Sequence, residues 1–154
     1  MNNISHKSTK PIKSAEYRAL AELRYHIRRY LECSDSAARA AGLEPRQYQL
    51  LLALKGLAAG TDPTIGNLAE NLQIRHHSAV ELVDRAERNG LVKRQRTDAN
   101  RSVVLVGLTK KGDELIANAV AARLEEMRVA GPVLVDALKR LIKTNQQTKR
   151  GKQG

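Results

Sequence analysis

A chain of 154 residues is long enough for one well-buried core and too short for two. Its 27 Lys plus Arg against 16 Asp plus Glu give a formal charge of +11, which favours a polyanionic partner and leaves the fold open. The most apolar run, LLLALKGLAAG from Leu50 to Gly60, is interrupted by Lys55 and falls far short of the ~20 residues of a membrane-spanning helix, and a single cysteine, Cys33, rules out an internal disulfide.

The N-terminal MNNISHKSTKPIK is basic and has no apolar core, so it reads as neither a signal nor an anchor, and a cytoplasmic protein is expected. Residues 1–13 and about 146–154 read as flexible basic tails. From Ser14 the spacing of Tyr17, Leu20, Ala21, Leu23, Ile27, Tyr30 and Leu31 predicts a helix to about Ala41, with Gly42 as its stop. Such a helix carries more apolar stripe than one small domain covers, so part of it is expected to face another subunit. Cys33 follows Glu32 and lies near Asp35; acids disfavour a thiolate, so the residue reads as a small apolar filler rather than an oxidant sensor.

A second helix is expected from Pro45 to about Ala58, with proline in its first turn. Thr64 is placed to cap a short helix, IGNLAENLQ, with Asn67 where a capping box prefers an acid. RHHSAVELVDRAER, Arg75 to Arg88, is a third, its inner face made by Ala79, Val80, Val83 and Ala86, and Asn89-Gly90 ends it. LVKRQR from Leu91 to Arg96 and SVVLVGL from Ser102 to Leu108 alternate as strands of a hairpin joined by Thr97 to Arg101. After Thr109 an amphipathic helix runs to Gly131-Pro132, which is expected to break it, and a last helix, VLVDALKRLIK, follows.

A small helix, a tight turn, a second helix and a hairpin make the order of a winged helix-turn-helix, whose second helix needs an outward N-terminal half to enter a major groove. Arg75, His76, His77, Ser78, Glu81 and Arg85 fall there, all hydrogen-bonding. The hairpin adds Lys93, Arg94, Arg96 and Arg101, cations that suit phosphates or a narrow minor groove. With no Trp, no Phe and four Tyr, the chain lacks the stacking surface of a single-strand binder, which favours double-stranded DNA. No Gly-rich phosphate loop, paired-cysteine motif or G-x-S-x-G is present, so no catalytic residue, cofactor or metal is expected; His76 and His77 are adjacent, not at the i, i+4 spacing of a helical metal site.

The stretches QYQLLLAL, IGNLAENLQIRHHSAVELVDRAERNGLVKR and D-x-x-R-x-x-x-x-x-x-LT-x-x-G, between Glu44 and Gly112, resemble the DNA-binding domain of the MarR family of bacterial transcriptional regulators. The resemblance implies a mainly α fold with a small β-hairpin wing: a winged helix-turn-helix over 43–108, flanked by an N-terminal dimerisation helix over 14–42 and C-terminal dimerisation helices over 109–145. It implies a homodimeric, sequence-specific regulator of transcription on a pseudo-palindromic operator, most simply a repressor relieved by a small effector. Arg75, His76, His77 and Ser78 match base- and phosphate-contacting positions, Arg101 the wing arginine, and Asp98 the acid that shapes the loop. Asn100 and Ser102 depart from the pattern, standing where relatives often carry a second acid and a second arginine, which leaves Arg96 to share the wing's task. Tyr17, Tyr25, His26, Tyr30 and Tyr48 are offered as lining for the effector. A nonspecific architectural DNA binder and a winged-helix protein-interaction module are the alternatives; the cationic recognition helix and wing speak against the second.

Overall fold

The computed structural model describes residues 11–150; residues 1–10 and 151–154 of the two expected tails lie outside them. Seven elements follow in order: α1 (Ser14–Ala40), α2 (Pro45–Gly56), α3 (Ile65–Asn71), α4 (His76–Arg88), β1 (Val92–Arg96), β2 (Val104–Leu108) and α5 (Lys110–Arg150). The fold is thus mainly helical with one antiparallel hairpin. None of the helices is long and apolar enough to cross a membrane among the described residues. The chain divides into two compact units: residues 32–126, and the described residues up to 31 together with those from 127.

The unit 32–126 closes its own core. Leu43, Tyr48, Leu50, Leu51, Leu68, Leu82, Val83, Leu91, Val92 and Val106 are buried together. Ala38 from the end of α1 and Ile116 and Ala119 from the start of α5 join them, so this core draws on residues beyond 43–108. Three helix ends are closed by the same pair of bonds. After α1, Leu43 N–H donates to Ala38 O (2.9 Å) and Gly42 N–H to Arg39 O (3.0 Å); after α4, Leu91 N–H donates to Ala86 O (2.9 Å) and Gly90 N–H to Glu87 O (2.9 Å). Gly42 and Gly90 supply the left-handed residue this closure needs. After α3 the same bonds run from Ile74 to Ala69 and from Gln73 to Glu70, with Gln73 at φ 53 where glycine is favoured. At the start of α3, Thr64 Oγ1 accepts from Asn67 N–H (3.2 Å), while the Asn67 amide donates to Asp62 O (2.8 Å), a bond the acid of a capping box cannot make.

The hairpin pairs Val92 with Leu108 through Arg96 with Val104. Strand β2 starts at Val104 rather than Ser102, because a turn bond from Val103 N–H to Asn100 O (3.0 Å) takes up the residues before it. Its free edge is held as well: Val106 N–H donates to Pro63 O (2.8 Å), beside a bridge between Thr64 and Leu105. The start of α5 is clasped to the turn after α4. Thr109 N–H donates to Leu91 O (3.0 Å), Thr109 Oγ1 donates to Gly90 O (2.6 Å) and accepts from Gly112 N–H (3.1 Å), and Lys111 Nζ reaches Asn89 O (3.0 Å). Gly112 permits this approach: a Cβ there would stand 2.1 Å from Leu91 O.

In the other unit, Ala19 and Ala137 are buried and Arg140 binds Glu22 through Nε (3.2 Å) and Nη2 (2.5 Å). Large apolar side chains there are left in the open on both helices, Tyr17, Leu20, Tyr25 and Ile27 on α1 and Val129, Val133, Val135, Leu138 and Ile142 on α5. Three expectations are corrected. Gly131-Pro132 does not divide α5, which runs unbroken to Arg150 and through the start of the expected C-terminal tail. Pro132 removes one backbone donor, but RLEEMRVA before it and VDALKRL after it are strong helix formers that carry the turns across. Cys33 is exposed, so it fills no core.

Two substitutions test these local arguments by chemical denaturation. Gly112→Ala should lower stability by at least ~2 kcal/mol, since the Cβ meets backbone rather than a side chain that can turn away. Gln73→Gly should raise it by roughly 0.5 kcal/mol, relief of left-handed strain exceeding the added chain entropy. A neutral Gly112→Ala would refute the clasp.

Candidate nucleic-acid interface

Helix α4 buries Ala79, Leu82, Val83 and Ala86 against the core, with Leu82 taking the place expected of Val80; Ser78 and Val80 are half-buried and its remaining positions face outward. Arg75 is its N-cap residue, its side chain makes no capping bond, and the first turn holds no acid. Arg75, His76, His77, Glu81 and Arg85 are exposed and Ser78 is half-buried. The helix therefore offers uncapped N–H groups, an arginine and two imidazoles at one end, an arrangement that suits an anion. Arg75, Ser78, Glu81 and Arg85 also line a cleft of about 470 Å³, together with Gln73, Ile74, Leu82 and, from the first turn of α2, Arg46.

The hairpin's cations have separate tasks. Arg94 turns back onto α4: its Nη1 donates to Glu87 (2.6 Å), its Nη2 to Asp84 (2.6 Å), and its backbone N–H to Glu87 Oε1 (3.0 Å). The backbone bond, then the guanidinium, hold the Glu87 carboxyl below its usual range. Partial burial works against the charge on Arg94, and the two carboxylates outweigh it, raising its pKa. Arg94, expected among the wing's contacts, is thus engaged by two carboxylates of α4. Arg96 Nη1 donates to Arg101 O (2.6 Å) and so fixes the loop's exit.

The loop itself is shaped by neutral groups. Thr97 Oγ1 donates to Asn100 O (2.8 Å) and accepts from Asn100 N–H (3.1 Å); Asn100 Oδ1 accepts from Ser102 N–H (3.1 Å) and Ser102 Oγ (2.5 Å). The shaping role expected of Asp98 falls to Thr97 and Asn100: among the described residues no ion pair joins Asp98 to Arg101, and both are exposed. An amide at 100 and a hydroxyl at 102 replace a charged pair by a compact turn. Lys93 and Arg101 remain as outward cations of the hairpin.

The five residues offered as effector lining do not share one setting. Tyr48 is 5% exposed inside the core of 32–126, where packing against apolar neighbours takes up its ring. Tyr17, Tyr25 and Tyr30 are exposed, and His26 is half-buried, 4.0 Å from Glu22, with its ring edge-on to Tyr25 at 5.2 Å. Reading the sequence alone passed over Arg46 and the acids Asp84 and Glu87. The signal for Arg46 was a cation in a helix's first turn, where the dipole disfavours one.

Residues 41–101 match the family model described as MarR family. A curated relative, the uncharacterized HTH-type transcriptional regulator YsmB of Bacillus subtilis (strain 168), is 33% identical over 67 residues, 44% of this chain and 46% of that protein. The match thus spans about half the length of the curated relative. Among solved structures, AbsC, a MarR family transcriptional regulator from Streptomyces coelicolor, aligns with a TM-score of 0.71 at 19% identity, covering 94% of this chain and 100% of that one. An S. aureus MepR mutant bound to an oligodeoxyribonucleotide aligns at 0.58 and 19% identity over 88% and 96%. CouR from Rhodococcus jostii RHA1, bound to p-coumaroyl-CoA, aligns at 0.64 and 23% over 88% and 95%. At these identities the structures share the fold.

Arg94→Ala should lower stability by about 1 kcal/mol, the worth of an exposed ion-pair network with charged hydrogen bonds, whereas Arg101→Ala should leave it unchanged. Because the native pKa of Glu87 lies below the unfolded value of about 4.3, its contribution is complete above that pH. It is lost as pH falls through the native pKa. Denaturation midpoints of the wild type and Glu87→Gln should therefore converge as the solution is acidified; a constant gap would contradict the assignment.

Proposed function

We propose that the chain, whose residues 41–101 match the MarR family model, is a sequence-specific, double-stranded-DNA-binding transcriptional regulator acting as a homodimeric repressor. The observation that carries the reading is the outward N-terminal half of α4, with Arg75, His76, His77 and Ser78, next to a hairpin whose loop is fixed in shape and whose Lys93 and Arg101 point outward. In this reading α4 enters the major groove, where Arg75 and the two histidines meet base edges or phosphates and Glu81 and Arg85 lie one turn on. Asn100 and Ser102 hold the loop, and Arg101, with Asp98 beside it, meets the adjacent backbone or minor groove. The oligonucleotide bound to MepR supports the choice of ligand.

The apolar side chains left open on α1 and α5, from Leu20 and Ile27 to Leu138 and Ile142, support a second copy of the chain as partner, since a soluble surface rarely leaves so many uncovered. Two copies related by a two-fold axis would set their recognition helices one DNA turn, ~34 Å, apart, which calls for a pseudo-palindrome. Relief by a small effector is supported by the ligand bound to CouR; Tyr17, Tyr25, His26 and Tyr30 are this chain's accessible amphipathic side chains for such a molecule.

Selection of bound duplexes from a randomised pool, with the oligomeric state measured by light scattering, tests the reading. A dyad motif with half-sites about one turn apart and a dimeric mass are expected. On the enriched duplex, Arg101→Ala should reduce the slope of log affinity against log salt by ~0.9, one phosphate contact. Binding without sequence preference would overturn the regulator in favour of an architectural protein.

A further inference from the structure

The proposed interface has cations on both flanks of α4. At 3.6 residues per turn, Ser78, Glu81 and Arg85 share one flank of the outward face, and Asp84 and Glu87, which hold Arg94 of the hairpin, share the other. The cleft of about 470 Å³ lies along the first flank with no hairpin residue in its lining, and Arg46, Arg75 and Arg85 line it against a single acid, Glu81. These three arginines come from separate places in the chain: the first turn of α2, the N-cap of α4 and the third turn of α4. None of the three makes a side-chain hydrogen bond or ion pair among the described residues, unlike Arg94 and Arg96.

A helix lying in a major groove has a phosphate wall on each side, because the helix with its side chains is ~10–12 Å across and the groove ~12 Å wide. The hairpin can reach only the wall on its own flank. Arg46 stands where a helix dipole disfavours a cation and α2 has no first-turn acid to compensate, so an anion in the cleft relieves a local mismatch. Guanidinium groups suit phosphate oxygens, which they bind bidentately.

Resting on the reading of this chain as a duplex-DNA binder, we propose that Arg46, with Arg75 and Arg85, grips a DNA phosphate on the flank of α4 opposite the hairpin. The recognition helix is then held between two backbone contacts, one from the wing and one from α2. Arg46 contributes affinity on any sequence and carries no sequence preference of its own.

The test compares the full-length wild type with Arg46→Ala, Arg46→Lys and Arg46→Glu on the enriched duplex and on a duplex of unrelated sequence, each over a range of salt. Arg46→Ala should weaken both duplexes by the same factor and lower the log-log salt slope by ~0.9; Arg46→Lys should restore most of the slope, and Arg46→Glu should lose more than the alanine variant. Thermal midpoints should stay together, since the side chain is exposed and has no internal partner among the described residues. Affinity and slope unchanged in Arg46→Ala and Arg46→Glu would overturn the proposal while leaving the DNA-binding reading in place. A loss confined to the enriched duplex would overturn it too, by making Arg46 a base reader. Failure of the wild type to bind either duplex would overturn both.

Discussion

The pose of the hairpin relative to the end of α4 and the start of α5 depends on the close approach of Gly112 to the carbonyl of Leu91. Leu91 is held from three directions. Its N–H closes the end of α4 on Ala86, its carbonyl accepts from Thr109, and its side chain is buried. Strand β1 begins at the next residue, and Val92 pairs with Leu108, the residue before Thr109. The bond between Leu91 and Thr109 therefore sets the register of the hairpin as well as the exit of α4. A slip of one residue would send Val92 and Val106 outward and Lys93 into the core, so the register is pinned from both ends of the same peptide. The LT-x-x-G stretch is the sequence form of this clasp: Thr109 bonds two carbonyls' worth of turn, and Gly112 leaves the room.

With the hairpin so placed, its positive charges are not interchangeable. Asp84 and Glu87 face outward on α4, where a polyanion would meet repulsion, and Arg94 pairs with both at hydrogen-bond distance, offsetting one of their two charges. Its guanidinium is thereby engaged within the chain rather than left unpaired on the surface. Arg96 is tied to a backbone carbonyl inside the hairpin. A chain charge of +11 thus overstates what this face offers and conceals where the available charge lies: at Arg101 and Lys93 on one flank of α4, and at Arg75, Arg85 and Arg46 on the other.

Much of this was legible in the sequence. The apolar spacing that marks α2, α3 and α4, the glycines that end α1 and α4, and the cap at Thr64 are local signals with local causes, and the elements form within two or three residues of where those signals place them. The misreadings lie where a local signal is outweighed by its neighbours. Gly131-Pro132 is a breaker in isolation, but one missing bond does not end a helix with strong formers on both sides. Asp98 resembled a loop-shaping acid until the turn proved to be closed by Thr97, Asn100 and Ser102. Arg94 and Arg46 could not be sorted from sequence, since whether an arginine is paired or free is settled by which side chains the fold brings beside it, here Asp84 and Glu87 of another element for Arg94.

The two units differ in how they are held. Residues 32–126 bury leucines and valines among themselves, and their stability is a property of the single chain. In the other unit the fully buried apolar side chains are alanines, which remove little surface from water, and Arg140–Glu22 is an exposed pair of the kind that adds at most about 1 kcal/mol. Its larger side chains, Leu20, Ile27, Val133, Leu138 and Ile142, remain uncovered. In the homodimer proposed above, a second copy covers them, and the unit's stability rises with protein concentration while that of residues 32–126 does not. In that proposed dimer the same unit is the one whose arrangement a small bound molecule would shift at least cost, because the energy to be overcome is spread over an interface rather than locked in a core.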